Sequence, residues 1–146
     1  VKVGPPGGGT IVPKSILIVD DDPFVVEMLK DVLTLLGIQV KIARNGRDAL
    51  EMLATEKPTC AIIDLMMPVM DGFTLIHSIR REPAGKDLPL IVLSGLGHQA
   101  RVEERLPGVV GAIVKNRFNI VQLCQLLCQA GVMTEVPAAF LMAEAH

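Results

Sequence analysis

Residues 60–72 read CAIIDLMMPVMDG. Cys60, Ala61, Ile62 and Ile63 run without a polar break into a single carboxylate, Asp64, and Pro68 and Asp71-Gly72 follow in the loop behind it. An unbroken apolar run is what a strand covered on both faces requires, and a proline followed by Asp-Gly stiffens a turn and opens a helix. A tight turn needs only that much, and so does a reaction at the acid. What decides between them is which other residues converge on Asp64.

Four more short apolar runs flank this one: ILIV from Ile16, IQVKIA from Ile38, LPLIVL from Leu88 and GAIV from Gly111. Segments with helical spacing lie between them. In the first, Val25, Met28, Leu29, Val32 and Leu36 make one stripe while Glu27, Lys30, Asp31 and Thr34 face away. Asp22-Pro23 supplies its N-cap and first-turn proline, and Gly37 its stop. A second helix centres on Ala49, Leu50 and Leu53, and a third runs from Gly72 towards Pro83. A weak fourth is expected near 98–106, and the last over about 117–130. Strands alternating with helices roughly every 22 residues predict a parallel sheet with helices on both faces. Right-handed crossovers make a five-stranded, doubly wound α/β sheet the economical arrangement.

Composition narrows the function classes. The 146 residues suffice for one domain with a real core, and half of them are apolar. A net charge of −2 and the lack of Trp and Tyr argue against nucleic acid as a partner. No apolar stretch reaches a membrane span and the N-terminus lacks signal-peptide order, so a cytoplasmic protein is expected. Cys60, Cys124 and Cys128 lack metal-ligand spacing and read as core cysteines. Residues 1–14 read as a flexible Gly/Pro-rich linker or cloning remnant, 15–130 as the domain, and 131–146 as a tail with room for a short helix. GPPGGGT is no phosphate loop, since no Lys follows Gly9 and the glycines precede a strand.

Chemistry enters at the strand ends. The first strand ends in Asp20, Asp21 and Asp22, the third in Asp64, the fourth in Ser94 and the fifth in Lys115. All C-terminal ends of a parallel sheet share one edge, where ligands bind. Carboxylates crowded together repel one another unless a positive charge intervenes, and a hard divalent cation such as Mg²⁺ supplies it through oxygen ligands. Asp64 then stays ionised and can act as a nucleophile towards phosphorus, with Lys115 and the Ser94 hydroxyl at the phosphoryl oxygens.

ILIVDDDP, DLMMPVMDG, PLIVLSG and AIVKN, in this order and spacing, resemble the receiver domain of bacterial response regulators over about residues 15–130. The resemblance implies a flavodoxin-like sheet of order 2-1-3-4-5, Mg²⁺ as cofactor, and a phosphohistidine donor on a sensor histidine kinase or phosphotransfer protein. It makes Asp64 the phosphoacceptor, with Ser94 and Lys115 on the phosphoryl group. Asp21 becomes a direct metal ligand, Asp20 one through water, and Met66 one through its backbone carbonyl. No turnover of an external substrate is implied. Asp22 is left as an N-cap, and His77, His98 and His146 as exposed side chains.

Two positions depart from the family pattern. Asn116 stands where a proline usually follows the lysine through a cis bond; a non-proline cis bond costs about 2.5–4 kcal/mol, so the loop is strained or trans. Ala112 stands where an aromatic ring usually relays phosphorylation. Reversing a 1:99 equilibrium takes about 5.5 kcal/mol, which without that ring must come from Ser94 and the Gly95-Leu96-Gly97 loop. A receiver-like interaction module that does not switch is therefore the alternative. A phosphatase of the haloacid-dehalogenase type, which Asp20-Asp21-Asp22 superficially resembles, lacks its cap insertion here and leaves Asp64 idle. Apolar Met66 and Leu96 are expected to hinder water at the site.

The last helix carries no charge from Phe118 to Thr134. Ile120, Cys124 and Leu127 are expected on the sheet, and Gln122, Gln125 and Gln129 in solvent. Leu123 and Leu126 widen the apolar face sideways, which predicts a cover: residues 136–143 folded back, or a second subunit making a homodimer.

Overall fold

The computed structural model describes residues 14–68, 70–95, 106 and 108–144. The N-terminal stretch 1–13, the helix expected near 98–106, Leu96, Gly97, His98 and His146 lie outside these residues. Five strands, β1 (Ser15–Val19), β2 (Gln39–Ala43), β3 (Cys60–Asp64), β4 (Leu90–Ser94) and β5 (Val109–Val114), form one parallel sheet of order β2-β1-β3-β4-β5. The flavodoxin-like order expected from the sequence is the order found.

The four longer helices each begin on an Asp or Asn cap. α1 (Pro23–Leu35) starts on Asp22, whose side chain accepts from the Phe24 N–H at 2.9 Å, and gives way to Gly37 at φ +80°. α2 (Gly46–Thr55) is capped by Asn45 and α3 (Gly72–Arg81) by Asp71, which accepts from the Thr74 N–H at 2.9 Å. α4 (Ile120–Gln129) is capped by Asn119, and α5 (Ala138–Glu144) is the short helix of the tail.

The sheet divides the core in two. On one face Ile16, Ile18, Ile62, Ile91, Leu93 and Ile113 pack with α1 and α4; on the other Leu17, Val19, Ala61, Ile63, Leu90 and Val92 pack with α2 and α3. β3 and β4 are buried at every residue, as unbroken apolar runs predict, whereas the edge strands β2 and β5 are only partly covered.

Three expectations need correction. β5 starts at Val109, two residues before the GAIV run, because the strand carries an irregularity: Leu90 pairs with Val109 but Ile91 with Gly111, so Val110 is an extra residue. The buried face of α4 is broader than the predicted stripe: Cys124 and Leu127 are buried as expected, but Ile120 is not at its centre. Val121, Leu123, Cys124, Leu126 and Leu127 are its buried residues and Ile120 is only half-buried. Leu126 reaches the sheet because Gly111 leaves room: a Cβ there would stand 2.6 Å from Leu126 Cδ2. Finally, Gln122 is not a solvent residue, since its Nε2 donates to the Ala112 carbonyl at 3.3 Å. α5 rests against α4, but Leu141 and Met142 stay exposed, so the cover for Leu126 is chiefly the sheet itself.

Candidate phosphoacceptor and metal site

Strand order brings the acids together. β1 and β3 are central neighbours, and their last residues open onto the same edge, so Asp20, Asp21 and Asp64 each offer an oxygen within 4.8 Å of the others. Asp20 and Asp64 are buried and Asp21 is exposed. Both buried acids use the same local device, accepting from the backbone N–H two residues on: Asp22 N–H to Asp20 Oδ1 at 3.0 Å, and Met66 N–H to Asp64 Oδ1 at 2.9 Å. Each carboxylate thus has one oxygen fixed by its own turn and the other turned to the shared pocket.

Lys115 follows β5 directly, at the start of a 3-10 turn, Lys115–Arg117. Its Nζ stands 3.2 Å from Asp64 Oδ2 and 3.3 Å from Asp20 Oδ2. The contact with Asp64 is a hydrogen bond, whereas Asp20 Oδ2 is an ion-pair partner without a well-aligned donor. The bridge to Asp20 was not foreseen from the sequence, because nothing local to either residue signals it. No peptide bond among the described residues is cis, so Lys115 and Asn116 are joined in trans.

Ser94 ends β4, one step beyond Leu93, the partner of Asp64 in the neighbouring strand. It is fully buried and its Oγ has no hydrogen-bond partner. A buried hydroxyl without a partner forgoes about 1–3 kcal/mol, a cost that a ligand oxygen at this position would remove. Gly72 supports the acid from behind: a Cβ there would come within 2.6 Å of both the Asp64 carbonyl oxygen and Leu65 Cα. The Asp-Gly of the loop is therefore a close-packing requirement as well as a helix start.

Electrostatics identify what the pocket lacks. Burial pushes the Asp20 carboxyl up to about 6; the Asp22 N–H opposes this, the Asp64 charge adds to it, and Lys115 opposes it. Burial also pulls on Lys115, but attraction to Asp20 and Asp64 outweighs it and holds the ammonium above its ordinary value. Among the described residues, three carboxylates face one ammonium, which leaves two negative charges uncompensated. At an effective dielectric near 20, unit charges about 4 Å apart interact by roughly 4 kcal/mol, so the imbalance is substantial. An all-oxygen donor set with a deficit of two positive charges fits a hard divalent cation.

Residues 16–127 match the response regulator receiver domain family. Among curated relatives, response regulator MprA of Mycolicibacterium vanbaalenii is 38% identical over 97 residues, covering 66% of this chain and 40% of the relative. A 14.6 kDa protein of Leptolyngbya boryana is 41% identical over 110 residues, 75% of this chain and 78% of that one. The chain thus spans about two-fifths of the length of the MprA proteins it matches. Among solved structures, the receiver domain of a histidine kinase from Syntrophus aciditrophicus superposes with a TM-score of 0.71 at 30% identity, over 85% of this chain and 95% of that one. Response regulator TrrA of Thermotoga maritima, in complex with Mg²⁺ and a beryllium fluoride, gives 0.71 at 30% identity over 80% and 98%. Receiver domains are signalling domains. From residue 16 to residue 127, this chain belongs to the receiver domain family of the response regulators of two-component signalling.

Proposed function

We propose that the chain is a phosphoacceptor switch that takes a phosphoryl group onto Asp64 from a phosphohistidine donor in the presence of Mg²⁺. The observation that carries this reading is the meeting of Asp20, Asp21 and Asp64 with Lys115 at one sheet edge. Asp21 and Asp64, the Met66 backbone carbonyl and, through water, Asp20 would hold the ion. Bound there, Mg²⁺ supplies positive charge to the phosphoryl oxygens.

The chain's own residues supply the rest. The Met66 N–H fixes the rotation of the Asp64 carboxylate, so a nucleophilic oxygen is presented without further ordering. That oxygen forms its bond to phosphorus as the donor's N–P bond breaks, and the imidazole leaves with the electron pair. Lys115 moves its hydrogen bond from Asp64 Oδ2 to a phosphoryl oxygen, and the Ser94 hydroxyl donates to another. No external substrate is turned over.

A protein donor is supported by the rim of the site. Phe24, two residues after Asp22, is 78% exposed, and Met66, two residues after Asp64, is 60% exposed. Large apolar side chains beside a charged pocket favour a protein surface over a free metabolite. A sensor histidine kinase or histidine phosphotransfer protein, in the cytoplasm, provides one. No helix among the described residues is long and apolar enough to cross a membrane.

One observation favours the second reading, a receiver that takes phosphate without switching. Ala112 is packed against the core on the α2/α3 face, and its carbonyl is held by Gln122, so no ring is available to relay the event. The test is incubation with acetyl phosphate, with and without Mg²⁺, alongside Asp21→Asn and a small-angle scattering profile. Magnesium-dependent incorporation, lost in Asp21→Asn, supports the acceptor; an unchanged profile on phosphorylation selects the non-switching form. Incorporation indifferent to Mg²⁺ would reject the site as drawn.

A further inference from the structure

Lys115 reaches Asp64 only if β5 runs in the right register on β4, and β5 is an edge strand paired on one side alone. Its register is unusual. Leu90 pairs with Val109, then Val110 is passed over, and Gly111, Ala112, Ile113 and Val114 pair with Ile91, Val92, Leu93 and Ser94. Val110 and Gly111 consequently lie on the same α1/α4 face of the sheet: Val110 packs into that core, and Leu126 sits over Gly111. Without the extra residue every later side chain would change face, and Lys115 would be carried about one strand step, ~3.3 Å, from its place.

The start of β5 is held by Arg80, in the last turn of α3. Its Nη2 donates to the Gly108 carbonyl at 3.1 Å, immediately before the strand, and Nη1 donates to Leu88 at 2.7 Å and Gly85 at 2.8 Å, ahead of β4. One planar guanidinium therefore ties the entry points of both strands together, a geometry a lysine cannot copy. The other end of α3 is rooted on Asp64 through Gly72, whose N–H donates to the Leu65 carbonyl at 3.1 Å. α3 thus works as a strut about 15 Å long, with the acid at one end and the clamp on the lysine's strand at the other.

We infer that Arg80 is a positioning residue for phosphoryl acceptance: it fixes the bulged register of β5 on β4 and so holds Lys115 opposite Asp64 from the far end of the sheet. This rests on the role proposed for Lys115. The six residues Val109–Val114 span about 20 Å, so Arg80 acts through the strand and not by contact.

The test is a double-mutant cycle on the full chain, read as the rate of phosphorylation by acetyl phosphate with Mg²⁺ at a temperature where every variant is folded by circular dichroism. Arg80→Gln and Lys115→Ala are measured singly and together, with Arg80→Lys and Gly111→Ala beside them. A misplacement of about 1 Å costs up to a hundredfold, so Arg80→Gln is expected to slow acceptance by about tenfold or more. It is expected to add nothing, within about twofold, in the Lys115→Ala background. Arg80→Lys should recover part of the loss. Gly111→Ala, which disturbs the bulge from its other side, should show the same non-additivity and keeps the inference testable if Arg80→Gln does not fold. The ¹⁵N ammonium signal of Lys115, visible while it is paired, should broaden in Arg80→Gln although melting stays cooperative. Multiplying losses in the double variants, or a folded Arg80→Gln at the native rate, would overturn the inference. Native rates in Lys115→Ala itself would instead remove the role given to the lysine.

Discussion

The Lys115 ammonium lies 3.2 Å from Asp64 Oδ2 although 51 positions separate the two residues. The same nitrogen is 3.3 Å from Asp20, so one cation stands between acids from two strands. Among the described residues this ammonium is the counter-charge at the pocket, and it leaves the acids undercompensated.

Asp20 should therefore destabilise the metal-free protein at neutral pH. Its folded-state value, about 6, exceeds its ordinary 3.8, so between those pH values the folded chain keeps a proton that the unfolded chain has released. Stability from this group is full below about pH 4, falls as pH rises through 6, and stays low above it. The raised value already includes the attraction of Lys115, so Asp20→Asn, which removes the buried charge, should stabilise the metal-free fold by about 1–2 kcal/mol once solvent screening is allowed for. Urea midpoints at pH 7.5 without metal check this; a less stable Asp20→Asn would refute it.

Protons and Mg²⁺ should compete at the same carboxylate. As pH falls below 6, apparent Mg²⁺ affinity is expected to drop by up to about tenfold per unit. Isothermal titration calorimetry from pH 5 to 7.5 measures it, and a flat profile would mean Asp20 takes no part.

Phe24→Ala should separate the two kinds of donor. Losing an exposed apolar side chain at the rim is expected to slow transfer from a phosphohistidine protein by about tenfold, in the range of an interface anchor. Transfer from acetyl phosphate should not change. Equal slowing with both donors would place the effect in the pocket and not in docking.

Leu126→Ala should cost stability and leave solution mass unaltered. The side chain is 9% exposed and seated over Gly111, so its removal opens a cavity worth about 2–4 kcal/mol. Denaturation with light scattering reads both quantities. A change in oligomeric state with little loss of stability would return the second-subunit cover anticipated from the sequence.

The sheet and the acids were legible because each rests on a local pattern. β3 shows itself as an unbroken apolar run, α1 by a stripe between Asp22-Pro23 and Gly37, and the pocket by polar residues at the ends of buried strands. What escaped depends on fits between distant segments. Val110 looks like any strand valine, and only pairing with β4 makes it a bulge. Leu126 turns inward because Gly111 has no side chain, and Gln122 because the Ala112 carbonyl accepts from its amide. Arg80 has the look of a solvated arginine until Gly85, Leu88 and Gly108 converge on its guanidinium.

The most direct measurement is the position of the phosphoryl group. After acetyl phosphate and Mg²⁺, borohydride reduces an aspartyl phosphate to homoserine, which peptide mass spectrometry locates. Homoserine at position 64, lost in Asp64→Asn and kept in Asp22→Asn, is the predicted result. Homoserine at 20, 21 or 22, or at none of these positions, would contradict the assignment of Asp64 as acceptor.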